Sequence, residues 1–286
     1  MSPQLVWIIT GTSSGFGREL ALVALARGDR VIATARQRSL HKIEDLKTKG
    51  AETLELEVTA PLDVLKETAK KAVGIYGKVD VVVNNAGYVL SGPIEEKTPE
   101  ESFQQFNTNV FGGLNVARAF LPYMRERKTG TIVWLGSLSG WAISPLAALY
   151  SATKAAVRQI SESLHEEVAS FGLRSVCIDP GMFRTAFLSD GNRSKFEVRI
   201  KDYEETTRKQ EEWLASSNYK QLGDPVKCVQ IIADIVRGEG IAKDKPFPTN
   251  LQLGSDCYKV AKDTAERTLR NLQDWEEVIL STDHKN

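Results

Sequence analysis

Residues 5–26 read LVWIITGTSSGFGRELALVALA. The first five are a continuous apolar run, the pattern of a short strand buried on both faces. Thr10, Gly11, Thr12, Ser13, Ser14, Gly15, Phe16 and Gly17 follow at once, and residues 18–26 then read as a helix ended by Arg27 and Gly28. Strand, glycine turn and helix in that order make a phosphate-binding turn. Gly11 allows the tight turn, Gly15 lets a pyrophosphate approach the backbone, and Gly17 lets the helix pack on the strand. The helix N-terminus adds unpaired N–H groups and partial positive charge. A dinucleotide site on a doubly wound α/β fold is the expectation.

The next strand sharpens the cofactor. Residues 31–35, VIATA, end in Arg36, with Arg38 close behind. An NAD site places a carboxylate near this point to bind the ribose hydroxyls. A carboxylate would repel a 2′-phosphate, whereas a guanidinium pairs with it through two hydrogen bonds. The residues therefore favour NADP(H).

Further along, a polar helix is expected over residues 39–49, a strand over 53–58, a helix over 61–75 and a fourth strand over 79–83, closed by Asn84, Asn85, Ala86 and Gly87. Residues 99–125 read as a long helix broken near Thr108, with Asn107 and Asn109 inside it. An asparagine in mid-helix has a side-chain task, structural or functional. Residues 131–135 are a fifth strand leading into Gly136 and Ser137, and a loop with Pro145 precedes an Ala-rich helix carrying Tyr150 and Lys154. The last two are four apart and share a helix face. A hydroxyl, a phenol and an ammonium that converge on one oxygen make an acid-catalysis site.

Residues 173–178 form a sixth strand that delivers Asp179, Pro180, Gly181, Met182, Phe183, Arg184 and Thr185 to the carboxyl edge of the sheet, where open α/β folds bind ligands. Thr185 there suits a nicotinamide carboxamide. Residues 186–222 are expected to be a lid over the substrate. A capped amphipathic helix over 225–237, a last strand over 250–253 and helix over 256–279 complete the chain, with a break near Asn271. One domain over residues 1–254, followed by a helical extension over 255–286, accounts for everything.

Composition narrows the partners. The 286 residues carry 37 Lys and Arg against 37 Asp and Glu, so net charge offers no case for nucleic acid or an anionic membrane. No apolar run approaches the ~20 residues of a membrane span. Cys177, Cys228 and Cys257 are too far apart for a disulfide framework or a metal cluster, and the histidines are scattered; reduced thiols, a cytoplasmic location and no metal are expected. The start of the chain has no basic leader and does not read as a signal peptide.

Taken together, these motifs resemble the short-chain dehydrogenase/reductase family. TGTSSGFG at Thr10 to Gly17 is similar to its T-G-x-x-x-G-x-G turn, and NNAG at Asn84 to Gly87 to its strand-four motif. Asn109 sits where the family has a helical asparagine, Ser137 lies thirteen residues before Tyr150, and Tyr150 to Lys154 is Y-x-x-x-K. The resemblance implies a Rossmann-like, seven-stranded parallel sheet and a homodimer or homotetramer. It implies a cofactor held by Gly11, Ser13, Ser14, Gly15, Phe16, Gly17, Arg36, Glu57, Val58, Asn85, Ala86, Gly87, Val110, Tyr150, Lys154, Pro180, Gly181, Phe183 and Thr185. It implies catalysis by Asn109, Ser137, Tyr150 and Lys154: the tyrosine protonates a carbonyl, the lysine favours the tyrosinate, and the asparagine supports a water chain. Glu57 stands where the family has aspartate, and Gly136 where a second serine is common. The chain's length is similar to that of the branch acting on steroids, retinoids and other lipophilic carbonyls. Substrate contacts are expected from Ser137, Trp141, Ile143, Tyr150, Met182 and Phe187. The same site runs as a carbonyl reductase or, in reverse, as an alcohol dehydrogenase; a non-catalytic cofactor sensor is the remaining alternative on this fold.

Overall fold

The structure, a computed structural model, describes residues 3–186, 193–194 and 196–284. Its centre is one parallel sheet of seven strands in the order β3-β2-β1-β4-β5-β6-β7. The strands are β1 (Val6–Ile9), β2 (Arg30–Ala35), β3 (Glu52–Glu55), β4 (Val81–Asn84), β5 (Gly130–Leu135), β6 (Leu173–Pro180) and β7 (Asn250–Leu253). Every ladder is parallel; Ile8, for example, lies opposite Ile32 of β2 and Val82 of β4. Because β2 and β4 flank β1, the winding reverses beside β1, and a crevice opens at the carboxyl ends of β1 and β4.

The sheet is buried on both faces, which is why its strands are apolar runs without polar alternation. Trp7 and Ile9 point to the face covered by α1 (Gly15–Ala26) and α8 (Pro225–Arg237). Val6 and Ile8 point to the face covered by α3 (Leu62–Tyr76), α5 (Gly113–Arg127) and α6 (Ala148–Ala169). Each such Val or Ile contributes about 1.5–3 kcal/mol by leaving water. The three cysteines are free thiols buried in the protein.

Local signals set the helix starts. Asp224 caps α8 by accepting from the backbone N–H groups of Val226 and Lys227. Thr98 and Glu101 form a reciprocal capping box on α4 (Pro99–Phe106). The break expected near Thr108 takes a different form. The helix runs on through a π-helical stretch, Asn107–Gly112, directly into α5. Such widened turns re-aim side chains and recur at functional sites.

Two other boundaries differ from expectation. β3 stops at Glu55, although Leu56 and Val58 continue its alternation; both are buried, but beyond the ladder. The short helix α2 (Glu44–Thr48) is preceded by a 3₁₀ stretch, Gln37–Ile43, where one helix was expected. After β7, α9 (Ser255–Asp274) and α10 (Glu276–Leu280) meet at Trp275, close to the break expected at Asn271. Between β6 and α8 lies α7 (Glu204–Ser217).

Candidate active site

The crevice at the switch point is a cleft of about 990 Å³. Its floor at one end is the turn between β1 and α1. Gly11 and Gly15 adopt left-handed backbone (φ 70° and 59°) that side-chain-bearing residues rarely take. Asn85 staples this turn from the end of β4. Its amide donates to the carbonyls of Thr10 and Gly11 at 2.8 and 3.1 Å, while the backbone N–H groups of Asn85 and Ala86 donate to the Thr10 hydroxyl. A β-carbon on Gly17 would lie 2.5 Å from that amide nitrogen and 2.7 Å from the Gly11 carbonyl. So Asn85, expected beside the cofactor, lines the cleft but spends its amide on the turn. Ser13, Ser14, Gly15 and Phe16 line the cleft where the N-terminus of α1 opens to it.

Beyond the turn, Ala35, Arg36, Arg38 and Ser39 form the rim at the end of β2, with Leu56, Glu57, Val58 and Thr59 opposite. Arg36 is exposed. The Glu57 carboxylate accepts from the Thr59 N–H at 3.2 Å and hydroxyl at 2.9 Å, so it closes its own turn. The cradle thus has the features a dinucleotide requires: an approachable glycine backbone, a helix N-terminus and a basic rim.

At the other end stand Ser137, just past β5, and Tyr150 and Lys154, one turn apart on α6; all three are buried and line the cleft. The Ser137 hydroxyl hydrogen-bonds the phenol. Burial pushes the Tyr150 phenol up to about 12; the Ser137 bond pulls the other way, and the Asp179 charge adds to the rise. Burial pulls the Lys154 ammonium down to about 8, opposed by the negative charge of Asp179. Its Nζ donates to the Leu135 carbonyl at 2.6 Å and stands 5.7 Å from the centre of the Tyr150 ring. Desolvation by burial is the largest influence on the phenol and raises its hold on its proton.

Asn109 projects from the π-helical stretch. Its oxygen accepts from the Tyr88 N–H at 3.1 Å; its nitrogen donates to the Tyr88 carbonyl at 3.0 Å and the Thr153 hydroxyl at 3.2 Å. Thr153 in turn donates to the Tyr150 carbonyl at 2.6 Å. The amide therefore ties the segment after β4 to the helix carrying the tyrosine. Across the cleft, Pro180, Gly181, Met182, Phe183 and Thr185 form the wall after β6. Phe183 meets Phe16 edge to face, ring centres 5.3 Å apart, so the wall rests on the glycine turn.

Comparison with known proteins agrees with this geometry. Residues 5–195 match the short chain dehydrogenase family. The chain belongs to the short-chain dehydrogenase family of oxidoreductases. It is 31% identical over 279 residues to an oxidoreductase of Botryotinia fuckeliana, spanning 97% of this chain and 98% of that one. It is 36% identical over 205 residues to a 3-ketodihydrosphingosine reductase of Bacteroides thetaiotaomicron, 71% of this chain and 72% of the relative. The crystal structure of a short-chain dehydrogenase from Streptomyces avermitilis superposes with a TM-score of 0.86 at 35% identity, covering 99% and 100% of the two chains.

Within this short-chain dehydrogenase, not every expected contact reaches the cleft. The Trp141 indole is turned away: its N–H donates to Asp179 Oδ2 at 2.8 Å and its ring lies 3.8 Å beneath the Arg158 guanidinium. Ile143 points into solvent, 77% exposed. Val110 is buried in the core beside α5, away from the cleft wall. Phe187 lies outside the described residues, as does part of the expected lid. Met182, expected at the substrate, does line the cleft, and the rest of the apolar wall comes from Leu138, Ala142, Pro145 and Leu146 and from Trp213 and Leu214 of α7. Leu146 sits in left-handed backbone (φ 61°), and its carbonyl accepts from the Gly92 N–H at 2.7 Å. Strained backbone of this kind collects at binding sites.

Asp179 has no role in the sequence reading, yet it is buried at the centre of the site. Its Oδ1 accepts from the Ser137 N–H at 2.9 Å. A β-carbon on Gly136 would lie 1.8 Å from the same oxygen. A side chain at position 136 and the Asp179 carboxylate would thus occupy one space, and the glycine is the visible trace of the aspartate. Among the described residues no group of three or more His, Cys, Asp or Glu comes together to hold a metal ion. No described helix is long and apolar enough to cross a membrane.

Proposed function

We propose that this protein is an NADPH-dependent reductase of lipophilic ketones or aldehydes, with Tyr150 as the proton donor. The observation that carries the reading is the buried Tyr150 phenol, bonded to Ser137 and beside Lys154 in the same cleft as the glycine turn. The protonated phenol is the form that can donate to a carbonyl oxygen, and the same group accepts the proton back when an alcohol is oxidised. Bound at the glycine turn, NADPH supplies the hydride.

The chain's own residues do the rest. Gly11, Gly15 and the α1 N-terminus receive the pyrophosphate; Arg36 and Arg38 receive the 2′-phosphate. Ser137 holds the carbonyl oxygen, and Tyr150 delivers its proton where negative charge develops. Lys154, a cation below about pH 8, favours that charge and would help to hold the cofactor. Asn109 acts by holding Tyr88 and Thr153, and so the register of α6. Residues 186–222 serve as the lid, α7 bringing Trp213 and Leu214 over the substrate. The apolar wall suits a lipophilic carbonyl, and a relative named as a 3-ketodihydrosphingosine reductase supports that class.

Residues 1–254 form the catalytic domain in this reading, and 255–286 an extension. Homodimer or homotetramer formation belongs to it too, supported by the exposed Leu269, Leu272, Trp275, Val278 and Leu280 on and between α9 and α10. The test is turnover of NADPH against a panel of long-chain, steroid and aromatic carbonyls, followed by loss of nicotinamide absorbance. Turnover of apolar members is expected; cofactor binding with no turnover of any member would favour a sensor. Arg36→Glu is expected to lower kcat/KM for NADPH by about 10- to 100-fold relative to NADH, the effect of losing a charge-assisted pair of roughly 1.5–3 kcal/mol. An unchanged ratio would remove Arg36 from the phosphate site.

A further inference from the structure

We propose that Asp179 is a positioning residue of this site: its buried carboxylate fixes the backbone of Ser137 and sets one negative charge under the Ser137–Tyr150–Lys154 group. Four donors converge on it. Oδ1 receives the Ser137 N–H at 2.9 Å and the Cys177 thiol at 3.5 Å; Oδ2 receives the Trp141 indole and the Asn250 amide, each at 2.8 Å. These groups offer the carboxyl donors on both sides, so an acceptor-only, ionised carboxylate satisfies them all. β5, β6, β7 and the Leu138–Gly140 turn are joined at this one group. Gly136 leaves the space, since any side chain there would collide with Oδ1.

The network also reaches the C-terminal extension. The Trp141 carbonyl accepts from the Thr264 hydroxyl of α9 at 3.0 Å. Asp256, at the start of α9, accepts from the Met182 N–H at 2.7 Å. The extension thus braces both loops that flank the reacting centre, one of them through Asp179 and Trp141.

The charged and titratable neighbours are Tyr150, Lys154 and Arg158 on α6, Cys177 on β6, and Asp256 and Cys257 on α9. Asp179 raises the proton affinity of Tyr150, Lys154, Cys177 and Cys257. Removing its charge therefore lowers the pH at which Lys154 loses its proton.

The kinetic arm of the test rests on the reductase reading; the exchange arm does not. For Asp179→Asn, an amide nitrogen must face donors on one side, so either the Ser137 N–H or the Trp141 indole loses its acceptor and the 136–142 segment loosens. Expected are a fall in kcat of about 10- to 100-fold with the NADPH Kd unchanged, and an alkaline limb of kcat moved to lower pH. Faster amide hydrogen exchange is expected in residues 136–142, in the protein without substrate. Trp141→Phe keeps the carboxylate and removes one donor; it should speed exchange in the same segment and leave the alkaline limb in place. Unaltered exchange in both variants, or the same limb shift in both, overturns the proposal. Should Asp179→Asn not fold, Trp141→Phe alone decides: exchange like that of the parent protein refutes the brace. Absence of turnover in the parent protein, with the exchange result as expected, refutes the reductase reading and leaves Asp179 as the brace.

Discussion

The two ends of the cleft are built differently. At the cofactor end the site is backbone: left-handed glycines, a helix N-terminus, and an asparagine whose amide is used to hold the turn. At the substrate end it is side chains on loops and on one helix: Leu138, Ala142, Pro145 and Met182, and the α7 residues Trp213 and Leu214. Backbone sites depend on glycine where a β-carbon cannot go, and so tolerate almost nothing. Side-chain walls tolerate exchange of one apolar group for another of similar size. A single scaffold can therefore keep its cofactor while its substrate changes.

Substitutions at each end should separate the two kinds of site. The largest effect is expected for Gly17→Ala, whose methyl group meets the Asn85 amide and the fixed Gly11 carbonyl. It should cost about 1–3 kcal/mol and weaken NADPH binding by about one to two orders of magnitude, read by fluorescence titration and thermal melting. Binding as tight as the parent's would mean the turn is looser than its contacts indicate. Gly136→Ser comes next, because its side chain occupies the space of the Asp179 carboxylate; a loss of about 1–3 kcal/mol in denaturant melts is expected, with cofactor affinity retained. Full stability would show that Asp179 can move aside. The smallest effect belongs to Ile143→Ala. This exposed side chain touches no wall of the cleft, so kcat/KM for apolar carbonyls should stay within about twofold and stability within about 0.5 kcal/mol. A large rise in KM would put Ile143 back against the substrate.

The same contrast explains what the sequence reveals. α8 and β7 lie where expected because each is announced locally, α8 by Asp224 and Pro225 and β7 by its short run between turns. The glycine turn and the Tyr150–Lys154 pair are legible because a fixed spacing carries the geometry. Trp141 and Ile143 read as substrate contacts because both are apolar and follow Ser137. Which way each points depends on partners far along the chain: Asp179 for the indole, and solvent for Ile143. Asp179 and Gly136 share one space across 43 positions, and nothing local in either segment says so. The π-helical stretch is similar. An asparagine in mid-helix signals a task, but the widened turn that aims it at Tyr88 and Thr153 depends on tertiary contacts.

The proposed reduction turns on the buried Tyr150 phenol as the donor of a proton to a carbonyl oxygen. The most direct test is Tyr150→Phe, measured for NADPH affinity and for turnover of the best carbonyl found in the panel. A kcat lower by about 10²- to 10⁴-fold, with the NADPH Kd unchanged, is the predicted result. A variant that binds NADPH equally well and turns over within a few-fold of the parent protein would contradict the account.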